Sequence, residues 1–127
     1  MNKGIIIGVV ALLVVGVILF QFFKESSPQI LVGEEILEVK ITMDNGVALS
    51  KIEVDLWKAG SQGHPDAGYN FTDDEGIVIF KIPDGEYEIG FNLNNFPENL
   101  ICPEKEFVLV EKGVPASKII LIKAQQN

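Results

Sequence analysis

The chain has 127 residues, eighteen acidic side chains against ten lysines, no arginine and a formal net charge of −8. Nucleic-acid binding needs a basic face for phosphates, and this composition excludes it. With no arginine there is also no bidentate clamp for phosphate or carboxylate, and with Cys102 as its only cysteine the chain can form no internal disulfide.

The first element is the run at residues 4–23, GIIIGVVALLVVGVILFQFF, which holds one polar side chain, Gln21, and no charge. As a helix, residues 5–23 reach roughly 28 Å, close to the ~30 Å hydrocarbon core of a bilayer. The run is long for a secretory signal, and Pro28 directly after Ser26-Ser27 hinders cleavage there. The expectation is one uncleaved transmembrane helix within an anchor at residues 1–25, followed by a linker at 26–34. Lys3 and the terminal amine lie on one side of the run, and Lys24 on the other is offset at once by Glu25. The positive-inside rule then puts the N-terminus in the cytoplasm and the remaining domain outside the cell membrane. Gly4 and Gly8 fit the small-xxx-small pattern, a route to a homo-oligomer. Lys3-Gly4 before an apolar run also resembles the leader of a type IV pilin-like subunit, cut after Gly4. Those subunits carry Glu five residues after the cut, where this chain has Val9.

After residue 28 the periodicity changes from helical to two. In residues 35–43, Leu37, Val39, Ile41 and Met43 alternate with Glu38, Lys40 and Thr42. Asp44-Asn45-Gly46 is a turn. Residues 51–58 set Ile52, Val54 and Leu56 inward against Lys51, Glu53 and Asp55, and a Gly/Pro/Ser-rich loop follows at 59–68. Residues 69–72 form a short strand with Tyr69 and Phe71 expected inward. Asp73-Asp74-Glu75-Gly76 turns the chain into residues 77–82, which are apolar on both faces and so read as a central strand. Pro83-Asp84-Gly85 leads to alternating Tyr87, Ile89, Phe91 and Leu93. A second loop spans 94–103, and strands at 106–110 and 118–123 flank a turn at 111–113. Seven short strands with turns every eight to twelve residues predict an all-β fold: a seven-stranded antiparallel β-sandwich, transthyretin-like or immunoglobulin-like, at residues 35–124, with a tail at 125–127.

The stretches GVALSKIEVDLWKAG, FTDDEGIVIFKIPDGEYEIGF and SKIILIKA resemble the transthyretin-like, or carboxypeptidase-regulatory-like, sandwich domains, cousins of the bacterial collagen-adhesin B-type repeats. The shared elements are Thr72-Asp73-x-x-Gly76 and Pro83-x-Gly85-x-Tyr87. They are turn chemistry: Asp73 accepts backbone N–H groups, Gly76 and Gly85 allow positive φ, and Tyr87 buries its ring with its hydroxyl bonded at a corner. The resemblance implies an accessory, non-catalytic module. Collagen-adhesin relatives often carry a Lys–Asn isopeptide bond promoted by a buried Glu. Here Lys40 faces outward by alternation, residues 118–123 hold no Asn or Asp, and the region after Tyr87 reads Ile89-Gly90-Phe91. No isopeptide bond is expected.

Antiparallel succession gathers the turns at 44–46 and 73–76 and the loop at 94–103 at the tip far from the membrane. Asp44, Asp73, Asp74, Glu75 and Glu98 then share that tip. Calcium, which takes six to eight oxygens, is the one cofactor they suit, although turns and loops collect acids for solvation alone and no EF-hand-like spacing occurs. Trp57 falls on the polar face of its strand, where it either packs under the neighbouring loop or offers a ring to a glycan or protein partner. Asn70-Phe71-Thr72 is an N-glycosylation sequon, with Asn70 expected to point outward. His64 is a lone histidine in a glycine-flanked loop. Cys102 fits either a small buried hydrophobe or an intermolecular disulfide. No nucleophile motif, phosphate loop or paired metal ligands appear, so no enzymatic activity is expected. The functional expectation is a membrane-anchored extracytoplasmic module for adhesion, spacing or assembly of a cell-envelope complex. A pilin-like filament subunit and a carbohydrate-binding module are the alternatives.

Overall fold

In a computed structural model, residues 31–126 are described; the expected anchor at 4–23 lies outside them. Eight strands follow in order: β1 (Glu35–Met43), β2 (Glu53–Lys58), β3 (Gly68–Phe71), β4 (Ile77–Ile82), β5 (Gly85–Phe91), β6 (Leu100–Ile101), β7 (Glu106–Val110) and β8 (Ala116–Ala124). They form two four-stranded sheets, with orders β4-β1-β8-β6 and β3-β2-β5-β7. The eighth strand, beyond the seven expected, is β6, a two-residue piece of the second long loop that pairs with the end of β8.

The two sheets bury their facing sides as a sandwich. Leu37, Val39 and Ile41 of β1 meet Val78, Phe80 and Ile82 of β4 and Ile120 and Ile122 of β8 in one core with Val54, Leu56, Tyr87, Ile89, Val108 and Val110 from the other sheet. Period-2 alternation therefore placed the inner faces of β1 and β5 correctly, because one sheet face excludes water and the other does not.

Three expectations are corrected. The sandwich is not wholly antiparallel: β1 and β8 run parallel, from Leu37 opposite Ala116 to Met43 opposite Ile122. The first and last strands share a sheet, and their pairing joins residues too distant in the chain for any hairpin signal to report. Secondly, β4 is an edge strand, not a central one. Its outward residue Ile79 is exposed, so its continuous apolar run reflects a bare outer surface and not burial on both sides. Thirdly, β3 is rotated relative to expectation. Its register pairs Asn70 with Val54 and Tyr69 with Asp55, so Tyr69 and Phe71 lie on the outer side and Asn70 on the inner side of the sheet edge. Asn70 is half-buried, with its Oδ1 accepting from the Phe71 N–H at 2.8 Å.

The turn motifs perform as their chemistry requires. Asp73 Oδ1 accepts the N–H groups of Glu75 and Ile77, both at 2.9 Å, and Gly76 sits at φ +77°. A Cβ on Gly76 would lie 2.5 Å from the Ile41 carbonyl oxygen, so that position is closed to any side chain. Tyr87 is buried and its hydroxyl donates to the Pro83 carbonyl at 2.7 Å. The end of the expected linker docks on the sandwich: Leu31 N–H donates to Ala67 O at 3.2 Å and Gly33 N–H to Lys81 O at 3.1 Å.

Candidate functional site

The outer face of the β3-β2-β5-β7 sheet carries the most unusual side chains. β2 should bury one face only, yet Val54, Asp55, Leu56 and Trp57 are all buried. The cause is tertiary. The loop at 59–67 leaves the end of β2 and folds back over its outer face, while the loop that follows β5 covers it from the opposite end.

The first loop is organised by Asp66, whose Oδ1 accepts the Lys58 N–H at 2.9 Å and whose Oδ2 accepts the Ser61 hydroxyl at 2.8 Å. It lies over Trp57, whose Nε1–H donates to the Gly63 carbonyl at 3.1 Å. Lys105 places its Nζ 3.8 Å from the indole centroid, a cation–π contact. The strand beneath must be bare to admit the ring: a Cβ on Gly90 would stand 2.8 Å from Trp57 Cζ3. Trp57 is only 6% exposed, so its ring is packed under the loop and is not presented as a platform for a sugar.

Between the two loops runs a groove of about 370 Å³ lined by Asp55, Trp57, His64, Phe91, Leu93 and Asn94, among others. Asp55 is 5% exposed, and among the described residues its Oδ1 is the buried side-chain polar atom with no hydrogen-bond partner. Burial pushes its carboxyl from 3.8 up to about 7, helped by a side-chain hydrogen bond to Glu53 and by the Glu53 charge. Glu53 in turn accepts from Asn95 Nδ2 at 3.1 Å, which ties the second loop to β2. Neither Asp55 nor this groove was expected to matter from sequence. The signal available was an aspartate flanked by Val54 and Leu56 two positions before a tryptophan. It reads equally well as an ordinary solvated face, because only the returning loops decide otherwise.

A second depression, about 460 Å³, lies at the opposite end beside Leu31, Pro83 and Tyr87. Lys58, Asp84 and Glu86 also line it, and the Tyr87 hydroxyl in its wall is already committed to the Pro83 carbonyl.

The acidic tip assembles as a place but not as a site. The turns at 44–46 and 73–76 meet at one end, since Asp44 N–H donates to Ile122 O at 3.1 Å and Ile41 N–H to Gly76 O at 2.8 Å. Asp44, Asp73, Asp74, Glu75 and Glu98 are all exposed there, and Asp73 is occupied by its own turn. Among the described residues no three His, Cys, Asp or Glu side chains converge to hold a metal ion. His64 is exposed at the rim of the groove. Cys102 is half-buried against the core, and burial pushes its thiol up. Lys40 faces outward, opposite Ile77 on one side and Ile119 on the other.

The other sheet presents a different outer face. Ile36, Ile79, Ile101, Ile119 (61% exposed) and Leu121 (58% exposed) stand in solvent around Glu38 and Lys40.

No family model and no curated protein matches the chain. Solved structures do. The Bacillus anthracis TIE protein superimposes with a TM-score of 0.61 at 19% identity, over 72% of this chain and 17% of that one. GBS52, the minor pilin of Streptococcus agalactiae, gives 0.60 at 15% identity, over 76% of this chain and 47% of that one. The group B streptococcus pilus 2b backbone protein gives 0.59 at 13% identity, over 72% and 41%. This chain spans less than half the length of each of these structures, and at such identity the likeness is one of fold, a β-sandwich.

Proposed function

We propose that the chain is a non-catalytic module of the cell envelope that works by contact with other proteins. Residues 4–23 hold it to the membrane as a single-pass anchor, and the transthyretin-like sandwich stands outside the cell as a spacer or assembly element. The observation that carries this reading is the uncovered aliphatic face of the β4-β1-β8-β6 sheet. A lone soluble domain has no use for Ile79, Ile101, Ile119 and Leu121 on one surface, whereas an assembling domain buries them. The apolar run, the strongly acidic remainder and the pilus proteins among the fold's likenesses support the same reading.

A photo-cross-linking residue at Ile119 of the full chain, in its native membranes, tests it. Illumination is expected to give a discrete higher-mass species that the same group at Lys51, exposed near the start of β2, does not give. Equal patterns from both positions would refute the assembly reading. The intact mass of the membrane-extracted protein tests the anchor: a first residue at Met1 or Asn2 supports it, and Ile5 supports the pilin-like alternative.

A further inference from the structure

We propose that the groove between the loops following β2 and β5 binds an organic cation bearing N–H donors, with Asp55 as its acceptor, and that the natural source is a lysine or arginine side chain of a partner protein. The proposal rests on the assembly reading only for that source.

Asp55 Oδ1 is buried and unpartnered among the described residues, and a buried acceptor left without a hydrogen bond loses its hydration with nothing in return. The fold keeps this carboxylate where a leucine would pack at no such cost. It is flanked on its own strand by a second acid, Glu53, whose carboxylate shares a hydrogen bond with the Asp55 carboxyl and accepts from the neutral Asn95 amide, so no cation meets either acid from that side. The charged and titratable groups around it are Glu53 from β2, Tyr69 opposite it on β3, His64 from the loop over it, and Glu88 and Lys105 beside Trp57. Lys105 is the one lysine among these groups, and it is engaged with the Trp57 ring, the Ser61 carbonyl at 3.4 Å and Glu88 at 3.9 Å. No lysine lines the groove. The missing partner is therefore a donor from outside, and an acidic groove in a chain of net charge −8 selects a positive one. A hard metal cation is a poor match, because two carboxylates fall short of its oxygen requirement and no third ligand converges. The remaining wall is apolar and aromatic, from Trp57, Pro65, Phe91 and Leu93. That suits the alkyl stem of a lysine or the flat guanidinium of an arginine.

The test uses the full chain in detergent micelles with carboxyl-¹³C aspartate. Methylguanidinium chloride is titrated against sodium chloride at equal ionic strength. Asp55 Cγ and the Trp57 indole N–H are expected to shift saturably, and the apparent pKa of Asp55 should fall by about one unit or more, as a carboxylate does beside a cation. Asp55→Asn should abolish the indole response, and Asp44→Asn should leave it intact. Tetramethylammonium, which has charge but no N–H, should give no saturable shift; this comparison stands even if Asp55→Asn does not fold. A response matched by sodium or by tetramethylammonium overturns the proposal. The short peptide acetyl-Gly-Arg-Gly-amide should saturate at lower concentration than methylguanidinium; equal affinity overturns the protein side chain as source and leaves a free small cation. These readings do not depend on self-association, so their failure is distinct from failure of the Ile119 cross-link.

Discussion

The outward sides of β8 and of β2, one on each outer face of this sandwich, are built from the same alternating pattern and end in opposite states. On β1 and β8 the outward Ile36, Ile119 and Leu121 remain in solvent. On β2 the outward residues Asp55 and Trp57 are buried as deeply as the core beneath them. The difference lies in the connections. β1 leaves through a short turn at 44–46 that pairs locally, with Met43 N–H donating to Val47 O at 2.7 Å. β2 leaves through the longer loop at 59–67, with enough chain to return over its own strand, pinned by Asp66 and by the indole N–H. Polar and apolar character thus ended on the less expected side in both cases: aliphatic side chains face water and a carboxylate does not. Burial on a sheet's outer face is set by what the loops cover, and not by the residue's polarity.

That contrast can be broken from its buried side first. Trp57→Ala should be the most damaging change, costing about 3 kcal/mol or more in urea unfolding, because it empties the space beneath the loop and removes the indole bond that pins the loop at Gly63. A loss below about 1 kcal/mol would mean the loop does not seal the ring. Gly90→Ala should come next, at about 1–3 kcal/mol by thermal or chemical denaturation, since the new methyl must displace the Trp57 ring or Lys105 Cγ, 3.1 Å away.

The Asp55 carboxyl supplies a pH-dependent comparison. Its pKa is raised from 3.8 to about 7 on folding. Between those values the folded state holds a proton that the unfolded chain has released, so its contribution to stability is complete below pH 4, declines as pH rises, and levels off above pH 7. Asp55→Asn should therefore gain on the wild type from pH 4 to pH 8, read as the difference in unfolding free energy across that range. A difference that stays flat would show that the carboxyl titrates as if in water. At the small end, Ile119→Lys should alter stability by no more than about 0.5 kcal/mol, since the side chain is exposed. The same substitution should suppress the Ile119-dependent assembly. A large loss of stability instead would show that this face is covered after all.

Much of the framework could be read directly from the chain. The inner faces of β1, β2 and β5 follow from period-2 alternation, and the Asp73-x-x-Gly76 and Pro83-x-Gly85-x-Tyr87 turns follow from local backbone chemistry. The gathering of Asp44 and the 73–76 turn at one tip follows from antiparallel succession. The candidate groove was not legible, because Asp55 differs in no local respect from Glu53, its neighbour on the same strand face. The acidic tip erred in the other direction: carboxylates close in the fold do not converge when each is solvated or spent on its own turn.

What the residues settled by themselves is everything governed by nearest neighbours: where strands run, which side of most of them avoids water, where glycine is obligatory, and the absence of arginine and of a disulfide. Tertiary structure alone decided the parallel pairing of first and last strands, the edge position of β4, the outward turn of Tyr69 and Phe71, and the burial of Asp55. Each of those depends on which distant segment arrives alongside, and the free energy that fixes it comes from surfaces contributed by both partners, of which any one stretch of sequence holds only half.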